Sequence, residues 1–181
     1  LFRSGLFVSD RFGALPGTLP MSAAGLIGST RLPTPAIVVA FKVFYRDPSD
    51  PQSAVQVADT LLQQGQGMHG GLGRESTHNN MAAMGPDFKG GFVDPLPVSN
   101  ADIVPTLARV MGLTLTSKGA LRGRVAAEAL AGAPEPPRSE PWQLHSAPAN
   151  GRKTLLWFQE VDGVRYLDHG CLAPEHAQVC P

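Results

Sequence analysis

The apolar positions of this 181-residue chain fall into short blocks separated by turn-forming clusters, with no long periodic run. Residues 1–8 mix leucine, phenylalanine and valine, and the Ser9-Asp10-Arg11-Phe12-Gly13 and Leu15-Pro16-Gly17 clusters behind them predict a strand ended by turns. Residues 36–45 are apolar at every position in their first half and alternate in their second. This predicts the strongest strand of the chain, its first half buried on both faces. Residues 46–51 carry two prolines and two aspartates, which stop it. Residues 54–62 fit either a strand, through Val55 and Val57, or a short helical stretch; the strand is preferred.

Gly65, Gly67, Gly70, Gly71 and Gly73 crowd the stretch 63–74, which selects for unusual dihedrals or close backbone approach over regular structure. Residues 80–84 are short, apolar and ended by Gly85-Pro86, and are expected to form another buried strand. Ser99-Asn100 caps an amphipathic stretch in which Ile103, Leu107, Val110 and Met111 share one face, and Gly112 supplies a left-handed stop. A helix is therefore predicted over 101–111, with Pro105 tolerated near its first turn. A second helix is expected over 124–130, ending at Gly132, followed by a Pro-rich surface stretch over 133–148. Residues 153–160 and 164–167 flank Val161-Asp162-Gly163 and predict a β-hairpin with Asp-Gly at its tip. Strands interleaved with helices give an α/β class with an irregular tail.

Composition narrows the picture. Fifteen Lys and Arg balance fifteen Asp and Glu, which argues against a nucleic-acid or polybasic membrane surface. Twenty glycines and seventeen prolines make the chain loop-rich, and no apolar run approaches the roughly 18 residues of a spanning helix. The chain opens on Leu1 in a strand-like stretch, without a basic segment, apolar core and small-residue cleavage site, so a piece of a longer polypeptide is expected. Cys171 and Cys180 lie in the last eleven residues, where a disulfide is favoured over a metal site.

Chemistry-bearing residues are few. His69 stands among glycines on a loop between two expected strands, where open α/β sheets place ligands and where the backbone can pass close to an ion. His78 begins the expected strand after it, with Glu75 and Asp87 near enough in sequence to serve as partners. Asp168-His169-Gly170 pairs a carboxylate with an imidazole but sits beside the terminal hairpin, and is read as structural. Thr60, Ser76 and Thr77 lack a G-x-S-x-G elbow, and no P-loop, dinucleotide fingerprint or CxxC pair occurs.

Three blocks in order carry more than spacing. Gly67-Met68-His69-Gly70 is followed by Met81-Ala82-Ala83-Met84-Gly85-Pro86-Asp87-Phe88-Lys89. Asn100-Ala101-Asp102-Ile103-Val104-Pro105-Thr106-Leu107 then runs on to Gly112-Leu113. Together they resemble the C-terminal part of the alkaline phosphatase superfamily, most closely the type I phosphodiesterase and nucleotide pyrophosphatase branch. There an HG loop leads to a strand ending in GP-x-FK, and then to an N-x-D-x-x-P-x-L helix closed by LG.

The resemblance implies an alkaline-phosphatase-like sheet with flanking helices over 1–132, a Pro-rich linker or surface loop over 133–150, and a terminal hairpin and tail over 151–181. It implies a hydrolase of small-molecule phosphoric esters whose two divalent ions, zinc by expectation, polarise a phosphoester oxygen and activate a Thr or Ser nucleophile. His69 maps onto the HG-loop metal ligand, and His78 onto a ligand position that some members carry nearer the GP strand. No nucleophile motif, Asp-x-x-x-His pair or further Asp-His-Gly precedes the HG block. The chain is thus expected to be a C-terminal fragment, inactive alone, whose partner is the missing N-terminal part of the same domain. The alternatives are a non-catalytic binding or structural module of that fold, or a sulfatase or phosphomonoesterase of the superfamily. Export of family members and a Cys171 to Cys180 bridge would fit a periplasmic or secreted location.

Overall fold

A computed structural model describes the chain except for residues 1–2, 29–30, 48, 51–52, 57–60, 62, 64–65, 67–69, 117–121 and 181. The elements are β1 (Arg3–Val8), β2 (Leu19–Pro20), β3 (Ile37–Phe41), β4 (Val43–Tyr45), β5 (Ala54–Gln56), α1 (Arg74–Thr77), α2 (Asn100–Val110), β6 (Glu140–His145), β7 (Arg152–Val161) and β8 (Val164–Pro174). They make a mixed α/β chain with three small sheets, ordered β2-β1-β3, β4-β5 and β6-β7-β8. Two compact units are drawn from discontinuous parts of the chain. One comprises residues 1–79, 143–157 and 167–181, the other residues 80–142 and 158–166. No helix among the described residues is long and apolar enough to cross a membrane.

In the first unit β1 lies between β2, parallel to it with Phe7 opposite Leu19, and β3, antiparallel with Phe7 opposite Val38. Phe7, Val8, Leu19, Met21, Leu72, Leu155, Leu156 and Ala173 are its buried apolar side chains. Thr154, fully buried, ties three segments there. Its hydroxyl donates to the Gly17 carbonyl at 2.8 Å and accepts from the Leu6 N–H at 3.2 Å, while its own N–H donates to Ser146 Oγ at 3.0 Å. The 36–45 run does form strand, interrupted at Lys42, but its burial on both faces is not observed. Ile37 is 61 % exposed and Val39 37 %. Among the described residues β3 pairs with β1 alone, so one edge and much of its side-chain surface stay open. The strand expected over 54–62 is seen as β5, paired antiparallel with β4; residues 57–60 and 62 lie outside the described part.

The second unit is organised around α2. Ser99 is its N-cap: the Ser99 Oγ accepts from the Ala101 N–H at 3.2 Å, and the Asp102 carboxylate accepts from the Ser99 N–H at 2.8 Å. Gly112, at φ 66°, takes the left-handed stop expected of it. Pro105 has no N–H to offer the Ala101 carbonyl, and Gly123 passes so close to that oxygen that a Cβ there would lie 2.0 Å from it. The helix is turned opposite to its apolar pattern: Asp102, Thr106 and Ala108 are buried, whereas Ile103, Leu107 and Met111 are exposed. The cause is hydrogen bonding to a later segment of the chain. The Arg124 N–H donates to Asp102 Oδ1 at 2.8 Å and the Ala126 N–H to Thr106 Oγ1 at 3.0 Å, so the segment after Gly123 lies along the polar side of α2.

That use of its backbone corrects the helix expected over 124–130. Only Ala127–Ala129 turns, as a single 3-10 turn. The buried strand expected over 80–84 is also absent: those residues are irregular and exposed, Met84 at 97 %. Alanine and methionine carry no β-branch, and no neighbouring strand supplies a ladder there. The following Asp87-Phe88-Lys89 does pair, through a bridge of Phe88 to Leu130 and bonds of Lys89 N–H to the Ala129 carbonyl and Ala131 N–H to the Asp87 carbonyl.

The Asp162-Gly163 hairpin forms with both residues at positive φ, 50° and 75°, as a two-residue turn demands, and its arms are longer than predicted. Residues 140–145, within the stretch read as a Pro-rich surface loop, form β6. Cys171 and Cys180 are bridged, with Cα atoms 5.7 Å apart.

Candidate functional site

Of the two metal-ligand candidates, His69 lies outside the described residues, and His78 does not begin a strand. It is the exposed C-cap of α1, its N–H donating to the Arg74 carbonyl at 2.8 Å. Among the described residues no group of three His, Cys, Asp or Glu side chains could hold a metal ion. The described residues therefore do not make a metal centre by themselves. Glu75, suggested as a partner of His78, instead accepts from the Tyr45 hydroxyl at 2.9 Å and from Ser76 Oγ at 3.1 Å. Burial, and then Glu75, push the Tyr45 phenol up. Asp87 is exposed and pairs through its backbone.

What the first unit does build is an anchor for the end of the glycine-rich stretch. Arg74, at the start of α1, donates to both Asp168 oxygens, at 3.1 and 2.9 Å, in a bidentate pair. Thr77 Oγ1 donates to the Asp168 carbonyl, and the Gly170 N–H donates to the Leu72 carbonyl at 2.7 Å. His169 Nδ1 lies 3.1 Å from Asp168, its ring stacked on Trp157 at 8° with centroids 6.0 Å apart. His169, then Arg74, hold the Asp168 carboxyl well below the usual carboxylate range, against the opposing effect of burial. Asp168 is thus a fixed anion that staples α1 to β8.

Side chains crowd the glycines at this join, so that a residue with a Cβ would need them to shift. A Cβ on Gly170 would lie 2.5 Å from Leu156 Cδ2, and one on Gly71 would lie 2.8 Å from Ser76 Oγ. Reading Asp168-His169-Gly170 as structural agrees with this geometry. Arg74 and Tyr45 were not legible as partners, since the pairing of Arg74 with Asp168 spans 94 residues of sequence. The only local signal was the charged Arg74-Glu75 pair closing a glycine-rich run.

No family model matches the chain, and no match is found among curated proteins or among solved structures.

Proposed function

We propose that this chain is the C-terminal portion of a metal-dependent phosphoric ester hydrolase of the phosphodiesterase and nucleotide pyrophosphatase type, inactive alone. The observation that carries the reading is the ordered set of three motif blocks between Gly67 and Leu113, with His69 in the HG position and His78 as second choice. In the complete site His69 would supply one nitrogen ligand to a divalent ion, zinc by preference, whose chemistry when bound is to polarise a phosphoester oxygen. This chain's own contribution is positional: the Arg74–Asp168 pair, with the Thr77 and Gly170 bonds, holds the residues that follow the HG loop against β8.

The partner proposed for the chain is the N-terminal part of the same domain, the source of the nucleophile and remaining ligands. The outward apolar stripe of α2 supports this, with Val104 60 %, Leu107 46 % and Met111 68 % exposed, side chains that gain from a cover. The same stripe would serve a non-catalytic binding module, which is the second reading. The Cys171–Cys180 bridge fits a periplasmic or secreted setting.

The test compares the isolated chain with the longer polypeptide the reading requires, each assayed for hydrolysis of a nitrophenyl phosphodiester. Turnover is expected from the longer form only. Turnover by the isolated chain would overturn its dependence on other residues, and a silent longer form would favour the binding module.

A further inference from the structure

The turn that leads into β7 has Asn150 and Gly151 at its tip, with φ of 50° and 69°. Such a two-residue turn, with both central residues at positive φ, is the mirror-image kind for which Asn-Gly is the preferred sequence. Ala149 and Arg152 close it from either side. The Ala149 N–H donates to the Arg152 carbonyl at 2.7 Å, and the Arg152 N–H to the Ala149 carbonyl at 3.1 Å. Of the asparagines of the chain, Asn79, Asn80, Asn100 and Asn150, only Asn150 precedes a glycine.

The Asn150 side chain and the Gly151 backbone can react with each other. The Asn150 carboxamide carbon is a ring closure away from the Gly151 nitrogen, and glycine, lacking a Cβ, leaves that nitrogen open to approach. Both residues are exposed, and among the described residues neither the Asn150 side chain nor the Gly151 N–H makes a hydrogen bond. No partner therefore shields the carbon or holds the proton of the nitrogen. Closure needs rotation of the Asn150 backbone against the Ala149–Arg152 bonds alone, at an exposed tip where local opening is easiest. The turn is also a junction. The Gly17 N–H donates to the Ala147 carbonyl at 2.7 Å, and Glu175, inside the loop closed by the Cys171–Cys180 bridge, donates its N–H to the Gly151 carbonyl at 2.9 Å.

We propose that Asn150-Gly151 is a site of spontaneous deamidation, and that its isoaspartyl product releases the disulfide-closed loop from the turn. The Gly151 nitrogen gives up its proton and attacks the Asn150 Cγ. The new C–N bond forms as the Cγ–Nδ2 bond breaks, and the amide group takes up a proton and leaves as ammonia. Water then opens the cyclic imide. Attack at the side-chain carbonyl restores the original main chain with an aspartate in place of the asparagine. Attack at the main-chain carbonyl leaves the chain running through the side chain, one methylene longer. Water is the only co-reactant, and neither a metal nor a phosphoester is involved. The longer path cannot keep both the Ala149–Arg152 pairing and the Gly151 carbonyl in place, so the bond from Glu175 is lost.

Peptide mapping by mass spectrometry, on the full folded chain held in mildly alkaline buffer, tests the site. The mass gain of an amide-to-acid change should accumulate at Asn150 ahead of Asn79, Asn80 and Asn100, and should slow in mildly acid buffer. Isoaspartate should be present among the products, identified by main-chain fragmentation and by methylation with an isoaspartyl methyltransferase. In the isoaspartyl protein, amide exchange at Arg152 and Glu175 should quicken by about threefold to tenfold, as loss of one hydrogen bond requires. Asn150→Asp has the new charge without the longer main chain, and should keep wild-type protection at both. Conversion at Asn150 no faster than at the other asparagines, or conversion to aspartate alone, would overturn the proposal. So would isoaspartyl protein with Glu175 still protected, or an equal loss of protection in Asn150→Asp.

Discussion

Replacing Thr154 by valine keeps the shape of a fully buried side chain and removes only its hydroxyl. That hydroxyl donates to the Gly17 carbonyl at 2.8 Å and accepts from the Leu6 N–H at 3.2 Å, bonds that reach 137 and 148 residues along the chain. With valine in place both backbone groups lose their partner, and each unsatisfied group costs about 1–3 kcal/mol according to how far water can reach it. Leu6 is half-buried and Gly17 buried, which places the expected loss at about 2–4 kcal/mol. Thr154→Ser keeps the hydroxyl and removes one methyl group, for about 1 kcal/mol. Urea unfolding followed by circular dichroism, with the midpoint compared at constant slope, reads both. The reasoning requires serine to be the milder change. Valine within about 0.5 kcal/mol of wild type, or serine worse than valine, would show that packing and not hydrogen bonding holds β1 to this strand.

Other expectations are as direct. Gly123→Ala sets a methyl 2.0 Å from the Ala101 carbonyl oxygen, a backbone atom that cannot swing aside, and should destabilise by at least about 2 kcal/mol in the same urea assay; a neutral result would mean the segment slides along α2 freely. Ser99→Ala removes the acceptor for the Ala101 N–H and should cost about 1 kcal/mol, seen as faster amide exchange in the first turn of α2; unchanged exchange would show that the cap contributes nothing. Asp168, held low by His169 and Arg74, stabilises the fold above its unfolded value of about 3.9 and loses that contribution as pH falls below it. Asp168→Asn should therefore lower the melting temperature at neutral pH and reduce the acid loss seen in the wild type. An unchanged acid limb would remove Asp168 from the account.

Local chemistry made several elements legible from residues alone. Ser99-Asn100 at one end and Gly112 at the other mark α2 because capping and left-handed stops depend on near neighbours. Asp162-Gly163 marks the hairpin for the same reason. Burial was less legible, because an apolar run such as 36–45 is covered only if another element covers it, and β3 has β1 on one side alone among the described residues. Which face of α2 is covered could not be read from its pattern, since Asp102 and Thr106 side chains take backbone donors from Arg124 and Ala126, a pairing that nothing within the helix encodes. The same bonds commit the Arg124 and Ala126 N–H groups to α2 side chains, where the composition of the segment suggested helix. At the candidate site, the anchoring role of Asp168 depends on Arg74, 94 residues away, and is invisible to motif spacing. His78 was placed by a strand that does not form.

The most direct test of the central proposal is the zinc content of the longer polypeptide, measured by mass spectrometry for wild type, His69→Ala and His78→Ala. Bound zinc should fall in His69→Ala and stay at the wild-type level in His78→Ala, whose imidazole is exposed at the end of α1. Zinc retained in full by His69→Ala would contradict the assignment of the HG-loop histidine, and with it the reading of this chain as part of a phosphoric ester hydrolase.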